Sequence, residues 1–265
     1  MKKLAVIGSP VQHSKSPQIH CGFAAACGLD ITYEAIEVTP STLATFMERA
    51  RSGEFAGFNV TMPHKETIID HLKTISGAAK ACNSVNTVVF NDGLHGYSTD
   101  GIGTITALRR CTDTLDRKCA LILGTGGAAK AAAFALSEAG ATVTALSRRD
   151  APPAIAGAET RPWRELQALS ASADFIINAT PLGMHDGSEF EDFAWLDAVK
   201  SDAVVFDFVY NPLETELLKA AKTRKIATIE GLQLLLFQAA ASFELFTGAK
   251  VPESEITRQL DAFKV

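Results

Sequence analysis

At 265 residues, 47% of them hydrophobic and 21% charged, the chain carries enough apolar material for one large domain or two of moderate size. A formal net charge of −5 without any basic block argues against nucleic acid as a partner, and no apolar span is long enough to cross a membrane. The five cysteines, Cys21, Cys27, Cys82, Cys111 and Cys119, show neither C-x-x-C nor metal-like spacing, as expected of reduced thiols in a cytoplasmic protein with no metal site.

The opening MKKLAVIGSP has two lysines and an apolar run, but Gly8 and Pro10 cut the run off, so residues 4–8 read as a buried parallel strand rather than a signal peptide. In the loop that follows, Ser14 and Ser16 are two apart and can point the same way in an extended segment. Pro17 suits the first turn of a helix over residues 18–27, so the two hydroxyls read equally as ligands of a carboxylate or as helix caps. His13 and His20 read as structural or solvated. Residues 32–38 alternate like a strand, and residues 41–52 have helical spacing with Ser41 as cap.

Within Gly57-Phe58-Asn59-Val60-Thr61-Met62-Pro63-His64-Lys65 the pattern predicts a strand ending in Asn59 and Thr61, which share a face, and a helix opened by Pro63 that carries Lys65. Polar groups at the carboxyl end of a strand in an α/β sheet sit where ligands bind. A lysine in a closing cleft can donate or accept a proton, whereas a lone lysine is a solvated charge; Asn59 and Thr61 beside Lys65 support the catalytic reading. Residues 83–89, which include Asn86, pass from polar to β-like, and Asn91-Asp92-Gly93 signals a hairpin. Asp100 precedes a helix predicted over residues 104–111, either as its cap or as the carboxylate partner of Lys65.

A short apolar run at 120–123 breaks into Gly124-Thr125-Gly126-Gly127-Ala128-Ala129, followed by an alanine-rich helix to residue 138 and a second β-like run at 141–146. This is a βαβ unit, and Gly124-x-Gly126-x-x-Ala129 fits the dinucleotide fingerprint. The first glycine makes a tight turn, the second admits a pyrophosphate close to the backbone, the small third residue lets helix and strand pack, and the helix amides hold the phosphates. Where an acidic residue would mark NAD, the chain has Ser147, Arg148 and Arg149, a hydroxyl and two guanidinium groups suited to a 2′-phosphate and therefore to NADP. Asp150 keeps NAD open, and a solvated charged loop is the plainer alternative.

Beyond it, residues 161–164 open a helix and residues 174–179 form a strand that ends in Thr180-Pro181-Leu182-Gly183-Met184. A strand over 203–208 ends at Phe208 and runs into Tyr210-Asn211-Pro212. A helix at 214–221 and a strand at 226–229 precede Gly231 and a long apolar helix over 232–246 that carries Gln238; a helix over 256–263 closes the chain. Gly101 and Gly231 are candidate hinges.

Taken together and in order, Ser14-Lys15-Ser16-Pro17, Asn59 to Lys65, Asn86, Thr99-Asp100-Gly101, Gly124 to Ala129, Asn178 to Met184, Tyr210-Asn211-Pro212 and Gly231-Leu232 through Gln238-Ala239-Ala240 resemble the shikimate dehydrogenase family over essentially the whole chain. The resemblance implies two α/β domains separated by a cleft: residues 1–103 plus 236–265 for substrate, and a Rossmann-like doubly wound domain, residues 104–235, for the dinucleotide. It implies reversible NADPH-dependent reduction of 3-dehydroshikimate to shikimate, in chorismate and aromatic amino-acid biosynthesis, by a cytoplasmic monomer or homodimer. Carried over by position, Ser14 and Ser16 bind the substrate carboxylate and Tyr210 approaches it. Asn59, Thr61, Asn86, Asp100 and Gln238 hold the ring hydroxyls, while Lys65 exchanges the proton with Asp100 as its partner. Gly124, Thr125, Gly126, Gly127, Ala128, Ala129, Ser147, Arg148, Arg149, Thr180, Phe208 and Gly231 bind the cofactor. Ser9, Gln12, Ser98, Ser147-Arg148-Arg149 and Gln233-Leu234 depart from the family pattern. The rival readings are an NAD-linked quinate dehydrogenase and a non-catalytic regulator that binds dinucleotide or shikimate.

Overall fold

The amino-terminal apolar run forms strand β1 (Lys2–Gly8), buried on both faces: Ala5 and Ile7 enter one core with Phe46, Met47, Phe55 and Phe58, while Leu4 and Val6 enter another with Tyr33 and Phe246. Two-sided burial is why this strand reads as a continuous hydrophobic run. The computed structural model describes residues 1–149, 151–185 and 187–264. The chain divides into two compact units, Met1–Asp100 with Leu236–Val265, and Gly101–Leu235.

In the first unit β1 is followed by α1 (Ser16–Ala26), β2 (Ile31–Glu37), α2 (Leu43–Arg51), β3 (Gly57–Val60), β4 (Thr74–Ile75), α3 (Gly77–Cys82), β5 (Thr87–Phe90) and β6 (Leu94–Tyr97). They build a six-stranded sheet in the order β2-β1-β3-β5-β6-β4. β1 runs parallel to β2 and β3, the hairpin signalled by Asn91-Asp92-Gly93 pairs β5 antiparallel with β6, and β5 also lies antiparallel to β3.

Helix α4 (Asp100–Leu108) leads into the second unit, which continues with β7 (Cys119–Leu123), α5 (Gly127–Glu138), β8 (Thr142–Ser147), β9 (Glu159–Pro162), α6 (Leu166–Ser170), β10 (Phe175–Asn178), β11 (Val204–Asp207), α7 (Glu216–Thr223) and β12 (Ala227–Ile229). All six strands are parallel, in the order β12-β11-β10-β7-β8-β9, a doubly wound sheet with β7 and β10 at its centre. One face packs Leu121, Leu123 and Ile176 on Trp195, Leu196 and Leu217. Helix α8 (Gly231–Thr247) returns the chain to the first unit, and α9 (Glu253–Ala262) packs on α1, where Gln259 Nε2 donates to the Ile19 carbonyl at 3.2 Å.

The structure differs from the sequence reading at several points. Lys65 lies on a turn ahead of a 3₁₀ helix, Thr67–His71, and not on an α-helix. The backbone is engaged elsewhere: the Lys65 carbonyl accepts from the distant Val85 N–H at 2.8 Å, and the Ile69 N–H turns to the Glu66 carbonyl at 3.2 Å. Buried His64, whose Nε2–H donates to the Val38 carbonyl at 2.6 Å, anchors the same turn. Asp100 stands in the first turn of α4 itself, four residues ahead of the predicted start. Residues 161–164 divide between the end of β9 and a 3₁₀ turn, Trp163–Glu165, before α6. Gly101 and Gly231, read as hinges, are both places without room for a side chain. A Cβ at Gly101 would meet the Ala131 carbonyl and the Ala135 Cβ at 2.8 Å. One at Gly231 would strike the Val209 carbonyl. Among the described residues no helix is long and apolar enough to cross a membrane, and no group of three metal-ligating side chains forms.

Candidate active site

The first unit gathers its polar side chains at the carboxyl end of β3 and the start of α4. Lys65 Nζ donates to Asp100 Oδ2 at 2.5 Å, with side chains 19% and 7% exposed. The other carboxylate oxygen, Oδ1, accepts from Asn86 Nδ2 at 2.8 Å. Asn86 Oδ1 accepts the Thr99 N–H at 2.7 Å, which fixes the amide's orientation, and Gln238 Oε1 on α8 lies 3.3 Å from Asn86 Nδ2. An ammonium held by a buried carboxylate, itself pinned from its far side, has a set direction along which to give or take a proton.

Beneath this pair runs a buried hydrogen-bonded layer. Asn59 lies inside it: Oδ1 accepts from the Tyr33 hydroxyl at 2.7 Å, and Nδ2 faces the Asn86 carbonyl at 3.0 Å, Thr87 Oγ1 at 3.1 Å and Ser242 Oγ at 3.0 Å. Asn59 therefore braces the backbone of Asn86, a use of the residue that the strand pattern did not suggest. Ser14 and Ser16 sit at the start of α1, where Ser14 Oγ accepts the Ser16 N–H at 3.2 Å. Ser14 shapes the helix entry, and between the two serines Lys15 turns its ammonium over the Phe263 ring, 4.8 Å from the centroid. Thr61, just past β3, is half-buried, with its N–H on the Ile7 carbonyl at 2.9 Å. Thr99, quoted above only as part of the Thr99-Asp100-Gly101 segment, completes the layer with Tyr33, Thr87 and Ser242, which were missed in the sequence; strand residues and a serine in an apolar helix carry no local sign of such a role.

In the second unit the turn between β7 and α5 has the properties a pyrophosphate requires. Gly124 adopts φ +112°, open to glycine, and a Cβ there would press to 3.0 Å from Thr180 Cγ2. A Cβ at exposed Gly126 would meet no atom within 4 Å, so the missing side chain leaves space in front of the turn. Helix α5 has no side-chain cap and no acid in its first turn, so the helix start itself sets no carboxylate against an anion. Gly127, Thr125 and Ala128 are half-exposed along the turn, and Ala129 is fully buried where helix meets sheet.

Ser147 is buried at the end of β8, where its Oγ accepts the Arg149 N–H at 3.1 Å and shapes the turn that exposes Arg148 and Arg149. Arg148 also borders a cavity of about 150 Å³ with Trp163, Leu182, Phe190 and Trp195. Asp150, considered above for a ribose hydroxyl, lies outside the described residues. Thr180 donates its hydroxyl to Asn178 Oδ1 at 2.6 Å. Phe208 packs edge-on against Phe206, centroids 5.0 Å apart, and its N–H donates to the Asn178 carbonyl at 2.9 Å. Tyr210 is partly exposed, and burial pushes its phenol above the usual range. Asp207, at the end of β11, is fully buried; desolvation pushes it up to about 6 against hydrogen bonds from Thr215, Val209 and Asn178 that favour the charged form.

A directed lysine–carboxylate pair in one unit and a glycine turn on an uncapped helix in a doubly wound sheet are the parts of a dinucleotide-dependent oxidoreductase. Residues 6–88 match the shikimate dehydrogenase substrate-binding domain, and residues 231–260 the shikimate 5′-dehydrogenase C-terminal domain. Shikimate dehydrogenase (NADP(+)) of Moorella thermoacetica is 39% identical over 272 residues, 97% of this chain and 92% of that protein. The crystal structure of shikimate dehydrogenase from Aquifex aeolicus aligns with a TM-score of 0.88 at 33% identity, covering 98% of this chain and 97% of that one. Shikimate 5-dehydrogenase from Thermus thermophilus, in complex with NADP(H) and shikimate, gives 0.87 at 33% identity over 99% and 100%. The chain belongs to the shikimate dehydrogenase family.

Proposed function

We propose that this protein is an NADP-dependent oxidoreductase of CH–OH groups that interconverts 3-dehydroshikimate and shikimate, and that Lys65 exchanges the proton at the reacting oxygen. The observation that carries the reading is the Lys65–Asp100 pair with Asn86 on its far side. Reduction of a ketone to an alcohol adds a hydride at carbon and a proton at oxygen. When bound, the nicotinamide supplies the hydride. Lys65 gives the proton to the oxygen as charge develops on it, and in the reverse direction takes it from the hydroxyl; general catalysis of this kind contributes roughly 10²–10⁴-fold. Asp100 keeps the ammonium directed.

Ser14 and Ser16 at the α1 entry take the substrate carboxylate, and Thr61, Asn86 and Gln238 take ring hydroxyls. Asn59, which the resemblance assigned to the ring, acts through Asn86. Tyr210 is assigned to the carboxylate by the resemblance alone. Gly124 to Ala129 hold the pyrophosphate, Arg148 and Arg149 the 2′-phosphate, and Thr180, Phe208 and Gly231 shape the remaining wall. The reading includes a cytoplasmic monomer or homodimer without a nucleic-acid partner.

The test is steady-state turnover of purified protein with each pairing of NADPH or NADH with 3-dehydroshikimate, and of NADP⁺ or NAD⁺ with shikimate or quinate. The expected maxima are NADPH with 3-dehydroshikimate and NADP⁺ with shikimate. Faster turnover with NAD⁺ and quinate, or none above background, overturns the proposal.

A further inference from the structure

Two fully buried polar side chains at adjacent strand ends have no part in the roles above. Asp207, the last residue of β11, accepts from Thr215 Oγ1 at 2.6 Å on one oxygen, and from the Val209 N–H at 3.0 Å and Asn178 Nδ2 at 2.9 Å on the other. Asn178, the last residue of β10, also donates from Nδ2 to the Leu182 carbonyl at 3.1 Å. Its Oδ1 accepts the Thr180 N–H at 3.1 Å and the Thr180 hydroxyl at 2.6 Å. Thr180 Oγ1 in turn accepts the Leu182 N–H at 3.2 Å. One acid thereby ties together the loops that leave two neighbouring strands at their carboxyl ends, where open α/β sheets bind ligands. The first of these loops backs directly onto the glycine turn, since Thr180 Cγ2 and the Ala179 carbonyl limit the space at Gly124. Burying a carboxylate is costly, and an apolar residue would pack the strand end as well. The Asp207 side chain accepts from three donors, which an apolar side chain of its size cannot do.

We infer that Asp207 and Asn178 are positioning residues for the dinucleotide: they hold the Thr180–Leu182 segment against the Gly124 turn and so set affinity for NADPH without touching it. The inference rests on the assignment of NADP to that turn. Loop geometry, and not only the phosphate contacts, then determines cofactor affinity.

The test measures NADPH and shikimate affinity separately on the purified full chain. Asp207→Leu removes every acceptor and is expected to weaken NADPH tenfold or more, with shikimate affinity within twofold of wild type. Asp207→Asn keeps an acceptor for Asn178 and Val209 and lets the Thr215 hydroxyl accept instead of donate, so it restores most of the NADPH affinity. Because Asp207→Leu can fail to fold, Thr215→Val supplies a milder arm, expected to weaken NADPH about threefold. Amide hydrogen exchange of Ala179, Thr180, Leu182 and Gly183 in cofactor-free protein is expected to quicken in Thr215→Val and to stay near wild type in Asp207→Asn. NADPH affinity in Thr215→Val equal to wild type, or parallel loss of NADPH and shikimate affinity, overturns the positioning role. Wild-type protein that binds shikimate but not NADPH overturns the cofactor assignment instead.

Discussion

Asp100 divides its two oxygens between Lys65, at 2.5 Å, and Asn86, at 2.8 Å, so the carboxylate that directs the ammonium is itself held from behind. A carboxylate bound on one side only could rotate with the lysine. Bound on both, it keeps the lysine on a fixed bearing, and Asn86 cannot turn because its own oxygen holds the Thr99 N–H at 2.7 Å.

Asp100→Asn keeps the shape and an acceptor for Asn86 but presents an uncharged group to the ammonium. Turnover is expected to fall about tenfold or more, in line with the loss of one charge-assisted hydrogen bond of about 1.5–3 kcal/mol. Steady-state kinetics against shikimate titrations check this; unchanged turnover would deny Asp100 its directing role.

Gly126→Ala should leave folding untouched and damage cofactor binding. The position has φ −78°, and an added Cβ meets nothing within 4 Å, so the melting temperature is expected to stay at the wild-type value. NADPH should bind tenfold or more weakly, because the methyl occupies the space assigned to the pyrophosphate. Gly124→Ala should instead destabilise by about 1 kcal/mol or more, since φ there is +112°. Thermal melts and NADPH titrations separate the two effects.

Replacing Arg148 and Arg149 together with Ser should weaken NADPH roughly tenfold or more while leaving NADH within a few-fold, because only NADPH carries the phosphate that a guanidinium grips. Equal losses for both cofactors would mean that neither arginine reads the 2′-phosphate.

His20 governs acid stability. It is fully buried, stacked on Tyr33 with centroids 4.3 Å apart, and neither ring nitrogen has a hydrogen-bond partner among the described residues. Burial holds its pKa down to about 3. The unfolded chain takes up a proton as pH falls below about 6.5 while the folded chain does not, so the neutral imidazole's stabilising contribution is complete above 6.5 and drains away toward pH 3. Between pH 6.5 and 4.5 the native protein should lose about 2 kcal/mol relative to His20→Phe, a phenyl that the surrounding Phe23, Phe243 and Phe246 can accept. Urea unfolding at several pH values measures the difference; parallel curves would contradict it.

Local signals in the sequence located most of this molecule. Glycine spacing between two apolar runs marked the β7–α5 turn, and Asn-Asp-Gly marked the β5–β6 hairpin, because backbone conformation at those points depends on the residues themselves. The Lys65 turn escaped the same logic: proline and a polar run suggest a helix start, but the Lys65 carbonyl is claimed by Val85, twenty residues away. Ser147 looked like a ligand by type and position, and only the fold shows it buried and engaged with the Arg149 amide. Tyr33, Ser242 and Asp207 lay beyond reach for a related reason. Each draws its significance from a partner on another strand or helix, and no spacing within one element encodes that.

Lys65→Ala isolates the proton-transfer step, with turnover and shikimate dissociation constant measured on the same preparation. Removal of the proton-transfer group is expected to cut turnover by about 100-fold or more while shikimate affinity changes only a few-fold. Turnover retained within a few-fold would leave Lys65 as no more than a charge paired with Asp100.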